Sequence, residues 1–272
     1  MNWRVISVII LGGVTDRRAA RSLRNVAAIR TLALVLRAVD VFETSVVATV
    51  FTRELGKVAV LAKGARRLKS PVQGGLDLLG VSDMVLFPKA SEALDLLAEA
   101  APVERFACLR RDLAALYAGY YVAELLLDLT DYHDPHPRLF DAARVTLRHL
   151  GDVELRMRRI MRFELACLRE LGLLPAFDHC AQCGQAVEPE ADVIWFGEEC
   201  GGVVCVDCGL RLSHVTKLSA RDLATFRALA EPGRAWRDLD SAKPATVVEE
   251  TIGAVVAHVL GHRPRLRRFL GV

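Results

Sequence analysis

The sequence predicts a multidomain α+β protein: a small N-terminal β-barrel, then an α-helical domain with an inserted four-cysteine metal-binding module. Three observations predict it. Between residues 31 and 98 the apolar side chains recur at every second position in short runs, and from Pro102 onward they recur with a helical period. Two Cys-x-x-Cys pairs, Cys180/Cys183 and Cys205/Cys208, stand 21 residues apart.

A chain of 272 residues with 52% hydrophobic side chains has material for one to three domains with real cores. An aromatic content of only 6%, together with many Ala, Leu and Arg residues, favours helices over a β-sandwich. The net charge of +3 is small, so where the charges fall matters more than their sum. Seven cysteines cannot all pair. If four hold a metal, Cys108, Cys167 and Cys200 remain as buried or passive thiols. That usage fits a reducing cytosol and not a secreted disulfide framework, so a cytoplasmic location is expected.

Residues 1–30 read as an N-terminal extension with no assigned function. Trp3 to Val14 is apolar but too short to span a bilayer, and Asp16-Arg17-Arg18 follows where a signal peptidase would need small residues. An appended or mis-started leader accounts for it.

Residues 31–100 form the barrel. Leu32, Leu34 and Leu36 alternate, Ser45–Thr52 is rich in β-branched residues, and Lys57–Lys63 alternates around Val58, Val60 and Ala62. After a loop at Gly64–Gly75 come Leu79–Phe87 and Glu92–Ala98. Five strands in so short a stretch leave two bare edges unless they close, and a five-stranded barrel of the OB type closes them economically. Its charge is concentrated: Arg53, Lys57, Lys63, Arg66, Arg67 and Lys69 lie within 17 residues that hold a single acid, Glu54. Most such runs are simply solvated surface. On an OB-type barrel, however, a flexible basic loop is also the usual device for tracking a phosphate backbone. The aromatic residues of this segment, Phe42, Phe51 and Phe87, look like core residues. Binding is therefore expected to be led by phosphates, weakly selective for sequence, and tolerant of single and double strands.

Residues 101–178 form the helical domain. Pro102 suits the first turn of a helix, and the apolar residues from Phe106 to Leu127 are too many for one stripe, so this helix is expected to be buried on several sides. Asp131–Pro137 breaks it, and His133 and His136 there belong to a proline-rich loop and not to a metal site. Helices are expected at 138–150 and 153–173. The second carries Arg156, Arg158, Arg159, Arg162 and Arg169, read as a solvated face, with an extension of the nucleic-acid surface as the alternative.

Residues 179–212 are the metal module. Each Cys-x-x-Cys forms a knuckle that aims two sulfurs inward, and four thiolates close a tetrahedral shell around one structural Zn²⁺ at about 2.3 Å. The spacer is one residue longer than the usual pattern. A closed shell leaves no position for water, so it holds a fold together without catalysing anything. A redox dithiol is the weaker reading, since one pair would serve it. Residues 213–272 complete the helical domain. Ser219-Ala220-Arg221-Asp222 reads as a capping box opening a helix over 220–230, Pro232-Gly233 ends it, and a last helix spans about 246–261. Arg263, Arg265, Arg267 and Arg268 then form either a second basic patch or an exposed tail.

In its block Phe51–Val58 and its run Ala62–Ser70, the chain resembles the RecO family of bacterial recombination mediators. Asp40, Glu43 and Thr44, the cysteine quartet, and the ending from His262-Arg263-Pro264 to Phe269-Leu270 fit the same pattern. The likeness covers roughly residues 31–272. It implies an OB-fold domain, a central helical domain and a zinc module. It further implies binding of single- and double-stranded DNA, annealing of complementary strands, and loading of the recombinase onto DNA coated by single-strand-binding protein. The implied partners are the mediator RecR and the C-terminal tail of the single-strand-binding protein, with no membrane association and a nucleoid-associated place in the cytoplasm. Two departures stand out. Residues 1–30 have no counterpart, and Ser45-Val46 replaces a charged pair, which removes a phosphate contact from the first hairpin.

No catalysis is expected. A zinc deaminase would need His-x-Glu upstream and Pro before a Cys-x-x-Cys, and neither occurs. A Gly-x-x-x-x-Gly-Lys-[Ser/Thr] phosphate loop is also absent. The remaining rival is a zinc-ribbon adaptor or transcription-associated protein acting only through protein contacts.

Overall fold

The computed structural model describes residues 27–67, 69–89, 94–187, 194–239 and 246–271. The proposed leader therefore lies almost wholly outside the described residues. The chain divides into two compact units between Arg105 and Phe106.

The first unit is a closed barrel of β1 (Ile29–Val41), β2 (Ser45–Thr52), β3 (Gly56–Ala62), β4 (Val81–Phe87) and β5 (Asp95–Glu104), in the order β1-β2-β3-β5-β4. β1 is long enough to serve two neighbours. It pairs with β4 from Ile29 to Leu34 and with β2 from Ala33 to Val41, and a bulge between Val35 and Arg37 turns it from one to the other. Parallel pairing of β3 with β5 at Val60–Asp95 and Leu61–Leu96 closes the ring. The interior is filled by alternate, mostly small residues, among them Ala33, Val35, Ala48, Val50, Val58, Val60, Met84 and Leu86. Such side chains fit a five-stranded bore, which makes this the expected OB-type barrel.

Several element ends differ from expectation by a few residues, most at β5, which runs Asp95–Glu104 and not 92–98. Pro102 opens no helix; it sits in β5 opposite Ser82, beside an irregularity between Val81 and Ser82. A proline offers no ladder donor and is accommodated where the ladder is already broken.

The helical unit begins with α1 (Cys108–Arg111) and α2 (Leu113–Leu129). The single helix expected here is interrupted by Asp112, whose extended backbone ends α1. Its carboxylate caps α2, accepting from the N–H groups of Ala114 (2.9 Å) and Ala115 (3.2 Å), and it also pairs with Arg156. Backbone donation from Ala115, with Arg156 adding to it, holds this carboxyl below its usual range. A lowered folded pKa means that the stabilisation is present above the unfolded value near 3.9 and lost as pH falls through the folded one. Asp112→Ala is expected to cost about 1–2 kcal/mol at neutral pH. The difference from wild type should shrink in acid unfolding titrations below about pH 4; a pH-independent gap would refute the capping role.

α3 (Pro137–Arg148) and α4 (Arg156–Glu170) follow. The α4 arginines are not a solvated face. Arg158 and Arg159 are buried, and Arg158 donates to the carbonyls of Arg237 (3.4 Å) and Leu239 (3.1 Å). Arg162 donates to the carbonyls of Leu229 and Glu231 at 2.9 Å, and Arg169 to that of Ala230. These acceptors lie at and beyond the C-terminal end of α6 (Ala220–Ala230), where the last carbonyls have no helical partner and the helix dipole is negative. Arg159 and Arg162 also lie over the Trp236 ring, 5.3 and 5.1 Å from its centroid. The row of positive charge is internal mortar.

Between α4 and α6 lie β6 (Ile194–Gly197), β7 (Gly202–Val204), the short α5 (Val206–Gly209) and β8 (Thr216–Leu218). The strands form a sheet in the order β7-β6-β8, and β8 is a strand that the sequence reading lacked. Phe196 of β6 and Phe177 both stack on Phe226 of α6, which fastens the module to the helices. The Ser219–Asp222 capping box is present as expected. α7 (Thr246–Leu260) is the last α-helix.

The C-terminal arginines do not form a loose tail. Arg267 reaches the fully buried Glu164 and donates to the Tyr121 hydroxyl (3.3 Å) and the Glu249 carbonyl (2.6 Å). Tyr121 in turn donates to Glu164 at 2.5 Å. Glu124 accepts from the backbone N–H groups of Arg265 and Leu266, and Phe269 stacks on Tyr117 at 4.8 Å. Arg263, Arg265 and Arg268, with Pro264 and Arg267, line a cleft of about 600 Å³. No helix among the described residues is long and apolar enough to cross a membrane.

Candidate nucleic-acid interface and metal centre

The six barrel cations divide between two ends of β3. Seven residues of strand hold Lys57 and Lys63 about 20 Å apart, since each residue advances roughly 3.3 Å. Arg53 and Lys57 belong to the β2–β3 turn. There Thr52, fully buried, donates its hydroxyl to the Gly56 carbonyl (3.0 Å) and accepts from the Leu55 N–H (2.9 Å). Gly56 takes φ of 70°, a left-handed conformation that a side chain would resist. The Thr-x-x-x-Gly-Lys block thus builds a turn. Lys57 is only 5% exposed, and Arg53 lies 3.5 Å from Glu54, so this end is far less open to a polyanion than the other.

Lys63, Arg66, Arg67 and Lys69 are all exposed at the opposite end. Their segment is not a slack loop. Gly64 turns it with φ of 66°, and N–H groups of Arg67, Ser70 and Gln73 bond back to the carbonyls of Gly64, Arg67 and Ser70 at 3.0–3.1 Å. Arg66 N–H donates to Thr44 carbonyl (3.1 Å), tying the segment to the β1–β2 turn, and Pro71 carbonyl accepts from Ala100 N–H of β5 (3.1 Å). The Arg66 guanidinium lies 3.1 Å from Asp40, both groups being more than half exposed. A surface pair of this kind contributes at most about 1 kcal/mol, so a phosphate can displace Asp40 cheaply. Four cations held at one barrel end by backbone bonds form a preorganised positive surface, which could take phosphate groups whatever the base sequence.

Of the three phenylalanines expected in the core, Phe42 departs from expectation. Phe51 is fully buried and Phe87 partly so, but Phe42 is 76% exposed at the tip of the β1–β2 turn with φ of 55°. Its aromatic character argued for the core; the signal against it was its place beside Glu43-Thr44, between two alternating runs, where a turn was due.

In the second unit the four cysteines converge. The Sγ atoms of Cys180, Cys183, Cys205 and Cys208 all lie within 4.8 Å of one another, and Cys183 and Cys205 are 3.8 Å apart. Four thiolates at about 2.3 Å from a tetrahedral ion would be separated by about 3.8 Å, so the cluster has the dimensions of a zinc shell. The first knuckle is built by Gly184 at φ of 76° with its N–H bonded to the Cys180 carbonyl (2.8 Å). The second is built by α5, where Gly209 N–H bonds to the Cys205 carbonyl (2.8 Å). Burial opposes ionisation of Cys180, but backbone N–H groups of Cys205, Cys183 and Gln182 outweigh it and bring the thiol down to about 6. Hydrogen bonding from neighbouring thiols, Cys205 foremost, pushes Cys208 up to about 12. A divalent cation relieves that conflict, because it draws all four to the thiolate form. Cys108, Cys167 and Cys200 stand apart from the quartet, and Cys167 is buried, with burial pushing its thiol well up.

Comparison with known proteins agrees with this architecture. Residues 26–106 match the family model described as Recombination protein O N terminal, and residues 110–265 match Recombination protein O C terminal. A DNA repair protein RecO from Rhodopirellula baltica is 42% identical over 202 residues, covering 73% of this chain and 74% of the relative. One from Anaeromyxobacter dehalogenans is 34% identical over 244 residues, covering 89% and 95%. Another, from Myxococcus xanthus, is 32% identical over 207 residues, covering 74% and 81%. With both halves matched in order and relatives aligned along most of the sequence, this chain belongs to the RecO family of recombination and DNA repair proteins.

Proposed function

We propose that this protein is a non-catalytic recombination mediator that binds single- and double-stranded DNA, anneals complementary strands and helps load the recombinase onto DNA coated with single-strand-binding protein. The observation that supports this reading most is the exposed set Lys63, Arg66, Arg67 and Lys69 on a segment braced at both ends. Cations on a fixed backbone release condensed counterions from DNA without paying to order a loop. Arg53 and Lys57, also assigned to the DNA-binding set, sit at the other end of β3, where Lys57 is 5% exposed and Arg53 lies beside Glu54, so they contribute less to it. RecR and the C-terminal tail of the single-strand-binding protein are the protein partners, and the protein acts in the cytoplasm at the nucleoid. One Zn²⁺ held by Cys180, Cys183, Cys205 and Cys208 supplies structural stability to the module; no step of DNA binding runs through it.

Replacing Lys63, Arg66 and Arg67 together by alanine is expected to weaken binding to every DNA sequence. The slope of log K against log salt should flatten by about 2–3 units, one contact per lost cation. Anisotropy titrations at several salt concentrations check this. A slope equal to wild type would move the DNA surface elsewhere, and no binding by wild type at low salt would favour the adaptor reading.

A further inference from the structure

We infer that Phe42 is a base-stacking residue, by which the phosphate-binding end of the barrel discriminates strands with unpaired bases from duplex. The inference rests on the DNA-binding reading above and adds a contact that charge alone does not supply.

Three observations carry it. The Phe42 ring is 76% exposed, at a position where burial would ordinarily repay so large an apolar group. Its backbone is held at φ of 55°, a left-handed conformation that favours glycine and that a bulky residue adopts against its preference. The turn thus carries both an unburied ring and an unfavourable backbone, and neither stabilises the fold. The third observation is position. Arg66 grips this turn on both sides of Phe42, through the side chain of Asp40 and the carbonyl of Thr44. Each of those residues is two along the chain from Phe42, so their Cα atoms are within about 7.6 Å of its own. Phe42 therefore sits, with its ring exposed, at the same end of the barrel as Lys63, Arg66 and Arg67.

An exposed aromatic beside phosphate-seeking cations is the composition of a single-strand platform: the cations take the backbone and the ring takes a base. Every unpaired base offers a π-face, so such a contact is indifferent to sequence. In duplex the bases are already stacked on one another, and the ring has nothing to receive. One ring on a turn fits one base, at a site where the partner strand is absent. Glu43, exposed beside Phe42, gives this turn negative charge, so the ring is what the turn can offer a nucleic acid.

The test compares full-length wild type with Phe42→Ala, Phe42→Trp and Phe42→Gly on three probes of equal length: a thymidine oligonucleotide, an abasic oligonucleotide and a duplex. Phe42→Ala is expected to lose about five- to tenfold in affinity for the thymidine strand, the low end of one stacking contact. Affinity for the abasic strand and the duplex, and the salt slope on all three, should be unchanged, because no cation is removed. Phe42→Trp should keep wild-type affinity and show indole quenching, above the background of the native tryptophans, with the thymidine strand only. Phe42→Gly should lose affinity as alanine does while raising Tm, which a merely structural role for the ring would reverse. Equal affinity of Phe42→Ala and wild type for the thymidine strand would overturn the inference while leaving the DNA reading intact. An equal loss on all three probes would overturn it too, pointing to a distorted turn. Binding of no probe by wild type would overturn the DNA reading and this inference with it.

Discussion

Cys183→Ser is expected to release the bound metal and unfold the module around residues 176–218, while the barrel and its DNA binding persist. The quartet is matched to a tetrahedral ion, with sulfurs within 4.8 Å of each other, and the sheet it supports has strands of only three or four residues. So small a sheet buries too little to stand by itself, and metal binding is then folding energy. In zinc-finger peptides that energy is on the order of 10–16 kcal/mol, enough to decide whether the module is folded at all. Elemental analysis of wild type and variant side by side should show about one divalent ion per chain, zinc on the proposed reading, in the first and a fraction of it in the second. Hydrogen exchange should accelerate in β6, β7 and α5, sparing β1–β5. Serine keeps the volume and removes the thiolate, so the result isolates ligation. A variant that loses its metal, keeps native exchange in the module and loses a catalytic turnover would refute the structural role and point to chemistry at the metal.

Arg267→Met is expected to destabilise the helical unit by about 3–5 kcal/mol, because it strands a buried charge. Glu164 is completely buried on α4, and its company is Tyr121, Arg267 and the backbone around them. Burial pushes its carboxyl above the ordinary range even with Arg267 present, and without Arg267 only the Tyr121 hydroxyl opposes that push. The sign follows. A folded pKa raised above the unfolded value near 4.3 gives stability that is intact in acid and falls as pH rises past it, so the variant should be nearest wild type at low pH. Near neutrality the Tm should fall by roughly 10 °C. The double variant Arg267→Met, Glu164→Leu should recover a large part of the loss, since an apolar pair no longer buries a charge. A double variant no more stable than Arg267→Met would show that packing of the arginine stem, and not charge, is what matters. The same cluster explains Gly253 in the middle of α7: a Cβ there would collide with the Arg267 guanidinium. That glycine costs about 1 kcal/mol of helix propensity and makes room for the pair.

The parts of this fold that were legible in the sequence are those encoded by local period or fixed spacing. β-Branched richness placed β2 at Ser45–Thr52 to the residue, and alternation located its neighbours to within a few residues, because one face of each must fill a narrow bore. Cysteine spacing led to the quartet, since two knuckles leave few other ways to arrange four thiols. The capping box at Ser219–Asp222 was legible for the same reason, its partners being three residues apart. What was not legible depends on residues far away in the chain. The arginines of α4 have the spacing of a wet face, and only the carbonyls of residues 229–239 make them internal. Arg267 looked like part of a tail because its acceptor lies 103 residues earlier. Pro102 was misread because proline suits a helix start as well as a broken ladder. Phe42 was misread because residue type outweighs position in most proteins, and this turn is one of the places where position wins.

The segment from Lys63 to Gly80 joins two pieces that can each form from neighbours in sequence, the β1–β2–β3 meander and the β4–β5 hairpin. It is fastened to the first through Thr44 and to the second through Ala100. Closing the ring requires β4 to reach β1 and β5 to reach β3, the long-range events whose entropic cost is met late. The fixed shape of the cationic span, bonded to both pieces, therefore requires the closed ring. A chain still emerging from the ribosome carries these lysines and arginines but not yet the rigid display of them, so the proposed grip on phosphate belongs to the closed barrel.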